Sequence, residues 1–231
     1  RSTTSLTQIL QKVVASGCSN FVYFSTSHVY GPMVGSISEK SQINPLSDYA
    51  IAHYAAEQII KRHSMGGRLK SLVLRPNAVF GIPSDAASFD RWQLIPFSFP
   101  LDAVRQRRIE LRTPGEQKRN FISTQDLAGY VQQYLETSKL FDEHTIVNPV
   151  GPSNLSVYEF AVRCSDVYQE IATNACEVIR PEPDTDSDPV AEFNFVSVHD
   201  YYHPAVTVDE YLEPFMRQAI EDQQFRTQCE T

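Results

Sequence analysis

The sequence predicts an α/β fold built on a doubly wound parallel sheet, and three observations carry that prediction. Helix-spaced apolar residues stop at a glycine and give way at once to a short, continuously apolar strand. The same helix–glycine–strand unit then repeats and is closed by Pro76. Short apolar runs alternate with amphipathic stretches again beyond residue 119, so the pattern does not end with the second unit.

Taken in order, Leu6, Ile9, Leu10, Val13 and Val14 give a helix over Ser5–Ser16, stopped by Gly17. Asn20–Ser25 is then a fully buried strand, rich in aromatics and Val. A Gly-, Pro- and Ser-rich loop follows from Gly31 to Asp48. A helix from Tyr49 to Arg62 carries Ile59 and Ile60 inward and breaks at Met65-Gly66-Gly67. Residues 70–75 form the second buried strand, so residues 5–81 hold two successive strand units.

Beyond Gly81 a mixed region with Pro83, Pro96, Pro100 and Pro114 precedes a strand over Arg119–Thr124 and a helix over Gln125–Leu140. Thr145–Asn148 is another strand. Ser156–Ile171 is a helix whose stripe of Val157, Phe160, Ala161, Cys164 and Val167 belongs to a core. Residues 180–192 are acidic and proline-rich and read as a surface loop. A last helix runs from Val208 to Asp222, with Thr207 as its cap and Glu210 completing a capping box.

The formal net charge of −8 argues against a binder of nucleic-acid backbones. Arg105, Arg107 and Arg108 form the densest basic cluster, read here as a solvated helix face. Cys18, Cys164, Cys176 and Cys229 have wide, irregular spacings, which give neither a disulfide framework nor, with scattered His, a metal site. No apolar run matches a membrane span and no secretory leader opens the chain. Those readings place it in the cytoplasm or another reducing intracellular compartment.

Three segments carry chemistry, in a fixed order. Ser25-Thr26-Ser27-His28-Val29-Tyr30-Gly31 lies at the exit of the first strand, where open α/β sheets bind ligands. Tyr49 and His53, spaced by four, share one helix face, with Ala55, Ala56 and Glu57 following. Leu72-Val73-Leu74-Arg75-Pro76-Asn77-Ala78-Val79-Phe80-Gly81 forms the exit of the second strand. Together they resemble the extended short-chain dehydrogenase/reductase family, the NAD-dependent nucleotide-sugar epimerases and dehydratases. The matching signatures are S-[ST]-x-x-V-Y-G, Y-x-x-x-K and L-R-P-x-N-V-Y-G.

The resemblance implies a Rossmann-like NAD(P)-binding domain, of which residues 1–81 are the back part. Residues 82–231 are then mainly a smaller substrate lobe, with elements near 119–148 returning to the main domain. It implies that Thr26 hydrogen-bonds the reacting oxygen of the substrate and that Tyr49 gives or takes its proton. Ser25, Tyr49, His53, Pro76 and Asn77 then line the NAD or NADP. Thr26, Ala78, Leu94, Pro96 and Arg119 line a small-molecule substrate, of which a nucleotide-sugar is the first choice. Leu94-Ile95-Pro96 resembles the family's nucleotide-contacting motif, and Arg119 stands in G-x-x-x-R-D-[FY]-[IV], whose Arg binds diphosphate. Asn148-Pro149-Val150-Gly151 is similar to the N-x-G passage. Asp126 is read as a helix cap.

Two departures matter. His53 stands where the family has Lys, and Ala78 stands where it has Asn. A phenol near its ordinary pKa of about 10 is a poor base at neutral pH, and the ammonium of Lys helps to form the phenolate. A His titrating near 6.5 is mostly uncharged there, which would slow proton transfer by about tenfold or more. Ser27 and His28 occupy the places where dehydratases carry Asp and Glu, so epimerase, reductase or dehydrogenase chemistry fits better than dehydration.

The nine glycines cannot be arranged as G-x-x-G-x-x-G, the family's cofactor loop. At about 30 residues per βαβ unit, roughly 80–100 residues of the N-terminal half are expected to be absent from this chain. Two other readings remain open. One is a catalytically degenerate structural or dinucleotide-binding subunit, and the other is a reductase of non-sugar substrates. A homodimer or larger complex, formed through the Tyr49 helix and the helix before the Thr26 strand, is the family's habit.

Overall fold

A computed structural model of the chain describes residues 3–182 and 192–222. In chain order its elements are α1 (Thr3–Ala15), β1 (Asn20–Phe24), β2 (Gly35–Ile37), α2 (Asp48–Ser64), β3 (Lys70–Leu74), β4 (Ala78–Phe80), α3 (Ile95–Gln106) and β5 (Arg108–Glu110). There follow β6 (Lys118–Ser123), α4 (Thr124–Thr137), β7 (His144–Val147), β8 (Ser153–Ser156), α5 (Val157–Ala172), β9 (Glu177–Ile179), β10 (Phe193–Phe195) and α6 (Val208–Glu221). The fold is α/β with parallel pairing, as the sequence predicts.

The chain forms two units. The first comprises Arg1–Asn77, Asp126–Val150 and Glu192–Pro204; the second comprises Ala78–Gln125, Gly151–Ala191 and Ala205–Thr231. In the first unit β1, β3 and β7 make a parallel sheet in that order. Leu72, Val73 and Leu74 of the central strand are fully buried, as a strand covered on both faces requires. Helices α1 and α2 pack through Leu10, Ile60 and Leu69, with Phe21 and Tyr23 of β1 beneath them. A two-stranded ribbon, β2 with β10, adds Ile37, Phe193 and Phe195 to a small core around Val29 and Tyr30.

In the second unit β4 and β6 pair in parallel while β8 joins β6 antiparallel, and β5 pairs with β9. Its core is aromatic: Phe80, Trp92, Phe97, Phe99, Phe121, Phe160, Tyr211 and Phe215 pack with the α5 stripe read from the sequence. The Asn120 side chain and the Gly151 backbone exchange two hydrogen bonds, 2.8 and 2.9 Å. A Cβ on Gly151 would collide with the Phe121 carbonyl, so this position admits no larger residue without backbone movement.

The structure corrects three details. The 31–48 loop contains β2, whose partner β10 lies more than a hundred residues away, a pairing that local pattern does not reveal. The proline-rich region contains α3. Pro96 enters in its first turn, where a missing N–H costs nothing. Pro100 leaves the Pro96 carbonyl without its helical donor, and the Tyr211 hydroxyl donates to it instead at 2.8 Å. The basic trio is no single helix face. Arg105 lies in the last turn of α3 with Nε and Nη2 buried, Arg107 is the left-handed cap at φ 54°, and Arg108 begins β5.

The predicted Thr207–Glu210 capping box holds, and Ser156–Glu159 forms a second, unpredicted one. Asp126 lies buried in the first turn of α4 and accepts from the Tyr202 hydroxyl at 3.1 Å. Cys18, Cys164 and Cys176 are free thiols, the last two buried. Cys229 and residues 183–191 of the acidic loop lie outside the described residues. Among the described residues, no helix is long and apolar enough to cross a membrane.

Candidate functional site

At the end of β1 the chain turns rather than continuing. Thr26 is extended and its Oγ1 accepts from the His28 backbone N–H at 3.2 Å, capping a short 3₁₀ turn over Ser27–Tyr30. That bond uses a lone pair and leaves the hydroxyl proton to donate elsewhere. Gly31 closes the turn at φ 86°, and a Cβ there would meet the Asn44 carbonyl, which explains the glycine of the motif. The exit of β3 holds the turn from beside it. The Ser27 N–H donates to the Pro76 carbonyl at 2.9 Å, and Asn77 Nδ2 donates to Ser27 Oγ at 2.8 Å.

Alternation along β1 puts Phe21, Tyr23 and Ser25 on one face, and the four-residue spacing of α2 puts Tyr49, His53 and Glu57 on one stripe. Two hydrogen bonds join strand to helix. The Tyr23 hydroxyl lies 2.9 Å from His53 Nδ1, and Ser25 Oγ donates to Glu57 Oε1 at 2.5 Å. Arg75 then grips Glu57 with two bonds, from Nε at 3.0 Å and Nη2 at 2.5 Å.

From there Arg75 Nη1 donates to the Tyr30 hydroxyl at 3.0 Å, which donates to Asn148 Oδ1 at 2.7 Å. Glu39 accepts from the Asn148 N–H at 2.7 Å and from the Val198 N–H at 2.9 Å. Glu57 and Asn148 are fully buried and Arg75 nearly so. Buried charges persist only when paired and hydrogen-bonded, and every link here meets that demand.

Against this fixed background the Tyr49 ring is 55% exposed. It meets the His53 ring edge-on with centroids 4.5 Å apart, and His28 approaches it from 6.3 Å. Burial lowers the His53 pKa below its ordinary 6.5, and nearby Glu57 raises it less. His53 is therefore uncharged at neutral pH. Burial, with help from Glu57 and Tyr49, pushes the Tyr23 phenol up to about 12.

The structure thus gathers Thr26, Tyr49, His53, Pro76 and Asn77 within the first unit, while the Ser25 hydroxyl is turned to Glu57. The remaining predicted residues belong to the second unit. Ala78 opens β4 opposite Phe121. Leu94 is exposed at the start of α3, and Pro96 is buried in its first turn. Arg119 is half-buried on β6 and donates to the Lys118 carbonyl at 2.9 Å. Burial lowers its pKa, and no carboxylate pairs with it among the described residues.

Sequence reading missed Tyr23 and undervalued Glu57. Tyr23 sits among the aromatics of β1, which the sequence predicts to be fully buried but which is half-buried with Phe24 exposed; its period-two spacing to Ser25 was the available signal. Glu57 continues the Tyr49–His53 stripe by one more turn.

A profile of the NAD dependent epimerase/dehydratase family matches residues 2–148. A Bacillus subtilis protein named as an uncharacterized UDP-glucose epimerase, YtcB, is 24% identical over 209 residues, covering 90% of this chain and 63% of that protein. The Sinorhizobium fredii protein y4nG is 31% identical over 121 residues, 52% of this chain and 28% of its own length. The chain spans less than two thirds of the length of these relatives. Among solved structures, the UDP-glucuronic acid 4-epimerase of Bacillus cereus, in complex with UDP-glucuronic acid and NAD, superposes with a TM-score of 0.71 at 20% identity, covering 93% of this chain and 67% of that one. RMD from Pseudomonas aeruginosa, complexed with NADPH, gives 0.73 at 19% identity, covering 95% and 73%. At these identities the likeness is one of fold.

Proposed function

We propose, from the premise that this chain belongs to the NAD-dependent epimerase/dehydratase family, that the protein is a nicotinamide-dependent epimerase or reductase. Its substrates are nucleotide-activated sugars or similar polar alcohols and ketones. The observation that carries the reading is the exposed Tyr49 ring set 4.5 Å from His53, on a helix tied by hydrogen bonds to the strand that leads into Thr26.

The donors of the first unit suit the ribose–nicotinamide end of NAD or NADP. Tyr49 and His53 offer a phenol and an uncharged imidazole for its hydroxyls, with Ser25, Pro76 and Asn77 at the strand exits. When bound, the dinucleotide supplies hydride exchange with the carbinol carbon. The chain's own residues move the proton: Tyr49 takes it from, or returns it to, the carbinol oxygen, and Thr26 donates a hydrogen bond to that oxygen. His53 donates to the phenolate as it forms. Arg119, a half-buried guanidinium, suits a diphosphate, which its planar fork can grip with two bonds. We assign Leu94 and Pro96 to the nucleoside, while Ala78 offers no amide. Ile9 of α1 and Ile51 of α2 remain exposed and offer an apolar surface to a second copy.

Tyr49→Phe tests the reading. With NAD or NADP and a panel of nucleoside-diphosphate sugars, it should lower turnover by at least about 100-fold with melting unchanged; undiminished turnover would refute the assignment. A second reading, a dinucleotide-binding or structural subunit, draws on His53: burial lowers its pKa below the ordinary 6.5, which works against a cation beside Tyr49. Its signature is dinucleotide binding without turnover of any sugar in the unmutated protein.

A further inference from the structure

His53 poses a chemical problem that Lys does not. An ammonium is a donor in every rotamer and needs no partner to be one. A neutral imidazole has one N–H and one lone pair, and only one of its two tautomers turns the N–H toward a given side. The hydrogen bond that the His53 ring makes among the described residues is the 2.9 Å contact between Nδ1 and the Tyr23 hydroxyl. Burial pushes the Tyr23 phenol up to about 12, so its hydroxyl keeps a proton to give; a phenol is a better donor than acceptor toward an imidazole nitrogen, and we take it as the donor in that contact. A nitrogen that accepts carries no proton, and the ring's single N–H then lies on Nε2. The other titratable groups facing the ring are Tyr49 and Glu57 on its own helix, and Arg75 holds the Glu57 carboxylate in place.

We propose that Tyr23 is a positioning residue: by donating to Nδ1 it locks His53 in the Nε2–H tautomer and makes it a constant, uncharged donor beside Tyr49. This rests on the reading of Tyr49 as the proton-transfer group. It accounts for a hydroxyl on that face of β1 where Phe would fill the same space. It also turns the replacement of Lys by His into a two-residue substitution, whose second member lies thirty positions upstream.

The direct test needs no turnover. Nitrogen-15 correlation spectra of the full chain, with the His53 signals identified by their loss in His53→Gln, should show Nε2 protonated and Nδ1 bare at neutral pH. In Tyr23→Phe the two nitrogens should move toward averaged shifts as both tautomers become populated. Protonated Nδ1 in the unmutated chain, or spectra unchanged by Tyr23→Phe, would overturn the proposal. A kinetic arm follows. Tyr23→Phe should lower kcat about fivefold with the sugar KM held, and by less than about twofold in a His53→Lys background, since an ammonium needs no tautomer. Equal losses in both backgrounds would also overturn it. If Tyr49→Phe keeps full activity, the functional reading fails while the spectra still judge the tautomer.

Discussion

Between Ser25 and Asn148 the first unit buries a carboxylate, a guanidinium, a phenol and an amide in one hydrogen-bonded chain, whereas the second buries Phe80, Phe97, Phe121, Phe160 and Phe215 among other rings. Apolar packing is non-directional and rewards area. A chain of hydrogen bonds is directional, so each member fixes the orientation of the next. The groups assigned to proton transfer all lie in the directional unit: Thr26 follows Ser25, and Tyr49 and His53 share the helix of Glu57. Burying an ion pair is a poor route to stability compared with rings of similar volume. What the network provides is a strand exit whose side chains point one way.

Single substitutions should therefore separate the two units. Arg75→Met leaves the Glu57 carboxylate buried without its partner, which costs about 3–5 kcal/mol in urea unfolding. Dinucleotide binding should be lost with it, because the Ser25–Thr26 exit loses its anchor. Phe160→Ala should cost a similar 3–5 kcal/mol or so, yet the protein that stays folded should bind dinucleotide as before. Equal loss of binding in both variants would erase the contrast. Gly151→Ala comes next, at about 2–3 kcal/mol, because its methyl collides with the Phe121 backbone rather than with a flexible side chain.

The smallest effect concerns pH. Burial, and to a lesser degree Lys61, lowers His144 in the first unit to about 4 from 6.5. Between those values the unfolded chain binds the extra proton, so stability is fully present above pH 6.5 and falls as pH drops toward 4. Solvent screens this partly exposed ring, and the loss should be about 1–2 kcal/mol. His53, also lowered, acts in the same direction. Unfolding midpoints at pH 7 and 5 check this, and His144→Gln should flatten the difference.

Elements whose signal is local were legible in the sequence. The helix before Gly17, the strand ending at Ser25, the Tyr49 helix and the α5 stripe each show their own periodicity. What escaped depends on contacts between distant segments. Three-residue strands such as β2 and β10 are specified by each other. Helix α3 is masked by prolines whose missing donor Tyr211 replaces from over a hundred residues away. The site divided in the same way. Thr26, Tyr49 and His53 stood in ordered motifs, but Tyr23 looked like core, and only its distance to Nδ1 shows otherwise.

The central claim is that an uncharged donor at His53 stands where a cation would serve Tyr49 better. His53→Lys in the full protein, assayed for kcat/KM at pH 7 with its fold verified by melting, measures this most directly. The account predicts a gain of about tenfold, the worth of roughly one pKa unit on a phenol. An unchanged or lower kcat/KM in a well-folded variant would contradict it.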